Sequence, residues 1–226
     1  MATHLQRQLD KLKKSLLSLG TLVEEAVDGG IRAVQTRDYA IAQSVIEGDI
    51  KIDQLEIDVE EECLQTLALH QPVAFDLRFV IAVLKINNDL ERIGDLAVNV
   101  AQQAQFLASC AAVDRIPFDL GRMSALVQEM LTKSLDALVN LDPSLAREVR
   151  ELDDNVDEIH REMYDRITES MKTNPEQITQ MIHLTNVSRQ LERMADHAVN
   201  IAKDVIYMAE GDIVRHRRLT RERDSA

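Results

Sequence analysis

The residues of this chain best suited to chemistry are carboxylates set one helical turn apart. Asp49 with Asp53, Glu91 with Asp95, Asp153 with Asp157, and Glu192 with Asp196 are four acidic pairs at i,i+4 spacing. On a helix each pair shares a face, and two like charges there cost about 0.2–0.5 kcal/mol per pair. Such a pattern calls for counter-charge, and three sources fit. A divalent or iron-type cation is one, since oxygen donors from two neighbouring helices suit hard or borderline ions such as Mg²⁺, Mn²⁺, Fe or Zn²⁺, singly or as a small cluster. A basic partner surface is the second. Arg92 and Arg193, each beside a carboxylate, are the third, and would make the acids an ordinary solvated surface.

A different chemistry is suggested by Asp157 with His160, an i,i+3 carboxylate and histidine as in di-iron helical enzymes. That reading needs the motif twice, and the position matching His160 in the first half of the chain is Glu56. His70, His183, His197 and His216 stand alone and are expected to be surface or packing residues. No glycine-rich phosphate loop, nucleophile elbow, zinc-finger spacing or HExxH occurs. The expectation is a protein that is not an enzyme and takes no organic cofactor, the alternative being a metal store or di-iron-type oxidase.

The elements that position these carboxylates are written twice. LERIGDLAVNVA (Leu90 to Ala101) returns as LERMADHAVNIA (Leu191 to Ala202), 101 positions on. Upstream the shift is 104, carrying Asp38, Ala42, Val45, Asp49 and Asp53 onto Asp142, Ala146, Val149, Asp153 and Asp157. A three-residue deletion reconciles the two shifts, in a loop near His70–Pro72 and Thr173–Pro175.

Each half reads as three helices, at about 3–37, up to 69 and 72–108, then 118–140, 143–172 and 175–210. Pro72, Pro143 and Pro175 fall at helix starts, and Asp142 and Asn174 stand before two of them as N-caps. Apolar residues alternate three and four apart along Val83, Ile86, Leu90, Ile93, Ala97, Val100, Ala104 and Leu107, and again along Leu184, Val187, Leu191, Met194, Ala198, Ile201, Val205 and Met208. The fold expected is all-α: two tandem three-helix bundles related by a pseudo-twofold, at 1–109 and 118–212, joined by a 110–117 linker and followed by a basic polar tail at 213–226. Gly29–Gly30, inside the first helix, fits either a bend or a close helix contact.

Composition narrows the partners. A net charge of −13 opposes the phosphate backbone of nucleic acid and anionic headgroups, so neither nucleic acid nor direct membrane contact is expected. Arg215, Arg217, Arg218, Arg221 and Arg223 cluster in the tail, which reads as solvated. Cys63 and Cys110 have no CxxC spacing, as in a reducing compartment. No run of about 18 apolar residues or secretory h-region occurs, so a cytoplasmic protein is expected.

The stretch ALHQPVAFDLRFVIAVLKINNDLERIGDLAVNVA (Ala68 to Ala101) and its counterpart SRQLERMADHAVNIAKDVIYMAEGD (Ser188 to Asp212) resemble the signature segments of the PhoU family, over essentially the whole chain. That resemblance implies a homodimer and a negative regulator of phosphate uptake and of the phosphate-starvation response. It further implies an adaptor between the ATPase subunit of a phosphate ABC transporter and a membrane sensor histidine kinase, with the membrane met only through those partners. Metal clusters on E/DxxxD motifs are implied at Asp49/Asp53, Glu91/Asp95, Asp153/Asp157 and Glu192/Asp196. His70 departs from the family's usual Gln and fits a ligand or a helix cap; the basic tail is not accounted for by the resemblance.

Overall fold

The structure is a computed structural model that describes residues 2–111, 113 and 116–211, with side chains from His4 onward. The basic tail, His216 and part of the 110–117 linker lie outside the described residues. Six helices make up the described chain: α1 (Ala2–Thr36), α2 (Tyr39–His70), α3 (Ala74–Ser109), α4 (Leu120–Asn140), α5 (Pro143–Thr173) and α6 (Ile178–Glu210). One 3₁₀ turn, Pro175–Gln177, precedes α6.

The helix ends follow from local chemistry. Asp38 caps α2 by accepting from the backbone N–H groups of Ala40 and Ile41 at 2.8 and 3.1 Å, and Asp142 caps α5 in the same way through Ser144 and Leu145 at 2.8 and 3.2 Å. These are repeat-equivalent positions. Arg37 leaves α1 in the left-handed region and donates to the carbonyls of Leu107, Cys110 and Ala111 at the end of α3, tying the α1–α2 turn to the α3 terminus beside it.

Two helix starts differ from expectation. α3 begins at Ala74 rather than Pro72, because Val73 is extended and Gln71 and Ala74 adopt left-handed backbone, which takes the proline out of the helix. Asn174 does not cap its helix: its side-chain amide donates back to Ser170 O and Thr173 Oγ1, and Pro175 opens the 3₁₀ turn instead.

Both apolar stripes are buried along their whole length, from Val83 to Leu107 and from Leu184 to Met208. α3 packs on α1 and α2, α6 packs on α4 and α5, and α3 and α6 run antiparallel to each other between the two bundles. Lys85 Nζ to Asp204 Oδ1 at 3.0 Å, His197 Nδ1 to Asp89 Oδ1 at 2.7 Å and His183 Nδ1 to Gln103 Oε1 at 2.7 Å mark that antiparallel register.

Gly29 and Gly30 mark close contacts. A β-carbon on Gly29 would stand 2.6 Å from Val45 Cγ2 of α2, and one on Gly30 would stand 3.1 Å from the Ala97 carbonyl oxygen of α3. Overpacking a well-filled core costs roughly 1–3 kcal/mol, and here backbone stands in the way. Gly30→Leu is therefore expected to lower the unfolding free energy by about 3 kcal/mol in urea titrations. Gly48→Ala, on a helical position where an added β-carbon meets nothing within 4 Å, is the matched control and should stabilise by about 0.5–1 kcal/mol.

Candidate functional site

The repeat places the acidic pairs on adjacent helices, α2 with α3 and α5 with α6. Their outer members, Asp53, Asp95, Asp157 and Asp196, are exposed, and the inner ones, Asp49, Glu91, Asp153 and Glu192, are half-buried beside the apolar seam. All eight expected residues thus fall into two clusters, one per bundle.

Each cluster is electrostatically strained. Burial, then the charges of Asp53 and Asp95, hold the Asp49 carboxyl above its usual range. Glu91 is raised by burial and by Asp95, Glu56 and Asp53. In the second bundle Asp153 is pushed up to about 6 by burial and by Asp157, Asp196 and Asp154, with Lys203 opposing. Burial and the charges of Asp196, Asp157 and Asp153 raise Glu192. Arg92 and Arg193 pull the other way and are outweighed. The Arg92 Nε stands 3.7 Å from Glu91 Oε2, with its side chain mostly in water. Neighbouring arginines therefore do not discharge the clusters.

Geometry bears on what a cluster can hold. Asp49 Oδ1 is buried with no hydrogen-bond donor among the described residues. It lies over Gly94, where a β-carbon would stand 3.8 Å from that oxygen and 3.2 Å from Ile52; the repeat-equivalent residue is Ala195. The donor set is all oxygen, which suits Mg²⁺, Mn²⁺ or iron better than Zn²⁺ with its preference for nitrogen and sulfur. Among the described residues no three Asp, Glu, His or Cys side chains already stand around one point. Ligation would draw in the exposed carboxylates Asp53, Asp95, Asp157 and Asp196, which water leaves free to change rotamer.

The histidines have other work. His160 Nδ1 meets Ser188 Oγ at 2.9 Å and packs edge-on against Tyr164. Its equivalent Glu56 accepts from the Asn87 amide at 3.0 Å, and Asn87 is the equivalent of Ser188. The same cross-helix contact is thus kept in both bundles with different side chains, which accounts for the missing second histidine. His183 stacks on Phe106 at 3.6 Å. His70 is the last residue of α2, and the cap that follows is Gln71. The residues that sequence reasoning missed are Lys85, Asp89 and Asp204 on the α3–α6 seam.

A family model described as the PhoU domain matches the chain twice, over residues 16–104 and 120–205. The chain belongs to the PhoU family. Both matched segments contain a complete carboxylate cluster, so the acids are part of the PhoU repeat. The chain is 38% identical over 214 residues to a phosphate-specific transport system accessory protein PhoU homolog of Aquifex aeolicus, covering 94% of this chain and 96% of that one. It is 37% identical over 217 residues to the Pseudomonas aeruginosa homolog of the same description, with 96% and 90% covered. The crystal structure of PhoU from Pseudomonas aeruginosa superposes with a TM-score of 0.89 at 36% identity, covering 92% of this chain and 99% of that one. The phosphate transport system regulatory protein PhoU from Streptococcus pneumoniae gives 0.81 at 29% identity, covering 93% and 99%. The all-helical, duplicated PhoU architecture extends over nearly the whole chain.

Proposed function

We propose that this protein is a non-catalytic, cytoplasmic negative regulator of phosphate uptake and of the phosphate-starvation response. In this reading it acts as a homodimeric adaptor between the ATPase subunit of a phosphate ABC transporter and a membrane sensor histidine kinase. Family membership over both repeats, with relatives named as phosphate transport accessory proteins, supports the regulatory part. The observation that carries the adaptor part is the pair of carboxylate clusters that the protein's own arginines leave undischarged. A fold that keeps such charge at half-buried positions gives up stability for it, and a cation or a basic docking surface recovers that stability on binding. Asp49, Asp53, Glu91 and Asp95 would hold one ion or small cluster and Asp153, Asp157, Glu192 and Asp196 the other, the metal supplying fixed positive charge to the docking face. Among the described residues no helix is long and apolar enough to cross a membrane, in keeping with membrane contact through partners.

The test joins elemental analysis to partner capture. Untagged protein purified without chelator should carry Mg, Mn, Fe or Zn, and converting Glu91, Asp95, Glu192 and Asp196 to amides should abolish that metal and weaken capture of the transporter ATPase at least about tenfold, or about 1.4 kcal/mol. Unchanged capture by the amide variant, with normal helix content by circular dichroism, would remove the clusters from the docking reading. Steady turnover of oxygen by the loaded protein would favour the oxidase alternative.

A further inference from the structure

One outer face of α2 is apolar where water reaches it. Tyr39, Ile50, Ile57 and Leu64 keep 58%, 74%, 47% and 53% of their surface exposed, and half-buried Ile46 lies among them. At about 100° and about 1.5 Å of rise per residue, all five fall within about 40° of one another and form a single ridge about 37 Å long. Apolar residues exposed singly need no explanation, but an aligned row does. The duplication supplies the control. The repeat-equivalent positions on α5 are Pro143, Arg150, Asp154, Arg161 and Thr168, and the one large apolar side chain that α5 exposes, Tyr164, matches Glu60 and stands to one side of that line. Packing such a helix into its bundle therefore does not require the ridge.

The charge beside the ridge is negative on both sides. Glu47, Asp58 and Glu61 border one side and Asp53 and Glu60 the other, all of them exposed, and Lys51 is the one lysine or arginine of α2. Gln43 and Gln54 donate to Glu47 and Asp58 at 2.7 and 3.0 Å, neutral partners that leave the charge in place. Among the described residues no ion pair engages any of the five acids. These borders select what can lie on the ridge. A second copy meeting it with the same face would set acid against acid, and an anionic bilayer would be repelled in the same way. The chain beyond Gly211 is basic, but Ile213, Val214 and Leu219 are its only large apolar side chains, too few to cover the ridge.

We propose that the outer face of α2 docks a basic amphipathic helix of a protein partner. Apolar residues of that helix, three and four apart, would lie along Tyr39, Ile46, Ile50, Ile57 and Leu64, while its lysines and arginines meet the acids on either side. Ile50, Ile57 and Leu64 are spaced by sevens, the register that a second long helix can follow. Because α5 lacks the ridge, such a partner is assigned to the first repeat alone. This deepens the adaptor reading and rests on it for the existence of a protein partner. Asp53 apart, the bordering acids lie outside the carboxylate cluster, so docking here and metal in the cluster are separable.

The test uses full-length protein and two fluorescein-labelled synthetic helical peptides of about three heptads, with leucine at the same contact positions and either lysine and arginine or glutamate beside them. By fluorescence anisotropy the basic peptide should bind at least about tenfold more tightly than the acidic one, and added salt should weaken it. Ile50→Gln/Ile57→Gln/Leu64→Gln should weaken the basic peptide at least about tenfold, and Glu47→Lys/Glu61→Lys should narrow the gap between the two peptides. Arg150→Gln/Arg161→Gln on α5 should change neither. Glutamine is a good helix former, and circular dichroism confirms that the variants fold. None of these substitutions touches the carboxylate clusters, and no transporter ATPase or kinase is present, so failure here leaves the capture test of the adaptor reading standing. No binding of the basic peptide, or equal binding of the two, would overturn the proposal. Binding that ignores the α2 substitutions would overturn it as well, being attraction of cations to an acidic protein at large. A change from dimer to monomer on Ile50→Gln/Ile57→Gln/Leu64→Gln, by sedimentation velocity, would instead give the ridge to a second copy, and peptide binding that appears only after residues 213–226 are removed would give it to the chain's own basic end; either result overturns the proposal.

Discussion

Lys85→Met is expected to lower the unfolding free energy by about 2–3 kcal/mol, or roughly 4–12 °C in Tm. Lys85 Nζ lies 3.0 Å from Asp204 Oδ1, and the Asp204 side chain retains only 9% of its surface in water against 35% for Lys85. Removing the cation leaves a buried carboxylate without this partner, and the Lys85 ammonium also sits 5.2 Å from the Tyr207 ring centroid. The exposed third of the lysine keeps the loss below the 3–5 kcal/mol of a fully buried pair. Lys85→Met/Asp204→Asn should recover more than half of it, because the stranded charge goes as well. A double-mutant cycle by urea unfolding measures the coupling. A coupling below about 0.5 kcal/mol would mean that this ion pair does not help to hold the two bundles together.

This pair matters for more than stability. A buried ion pair is a weak source of net stability but a good device for selecting one register, and apolar stripes on α3 and α6 tolerate more than one. The same two helices carry Glu91 with Asp95 and Glu192 with Asp196, so a slip of α3 along α6 would shift one carboxylate cluster against the other. The ion pair and the His197–Asp89 contact keep the two clusters at a fixed separation.

The pairing of the clusters was legible in the sequence because the duplication supplies the register. If Glu91 and Asp95 match Glu192 and Asp196, and Asp49 and Asp53 match Asp153 and Asp157, one three-helix packing must serve both sets. The buried stripes were legible for the same reason, being long and unbroken. The α3–α6 seam was not legible. Lys85 and Asp204 correspond to Asn186 and Gln103 in the other repeat, so the two copies carry no shared signal there. A contact between residues more than a hundred positions apart leaves no local period either. The two misplaced helix starts have a related cause: whether Pro72 opens a helix depends on the left-handed backbone of Gln71 and Ala74, and neither residue is a type that announces it.

Without metal, the carboxylate clusters should add stability as the pH falls from about 7.5 toward 4.5, against an opposite and smaller contribution from His160 and His183, whose imidazoles burial holds below their ordinary range. Asp153 titrates near 6 when folded and at 3.8 without its surroundings. The folded state therefore binds a proton more readily than the unfolded state, and its destabilising charge is fully present above pH 6. That penalty is relieved as pH falls through 6, with nothing more to gain below about 4. Asp49, Glu56, Glu91 and Glu192 are raised in the same direction and add to the trend. Asp153→Asn removes the charge at every pH. Since part of the Asp153 side chain remains in water, the gain expected at about pH 7.5 is on the order of 1–2 kcal/mol, vanishing near pH 4. Millimolar Mn²⁺ or Mg²⁺ should reverse the order at pH 7.5, stabilising the wild type and leaving the variant behind, because the carboxylate that costs stability alone gains it by ligation. Thermal unfolding of both proteins at the two pH values, with and without the ion, separates the alternatives: loss of the Asn advantage on adding metal assigns Asp153 to a cation. An advantage that survives millimolar metal would instead identify the strained carboxylates as charge held for a basic protein surface.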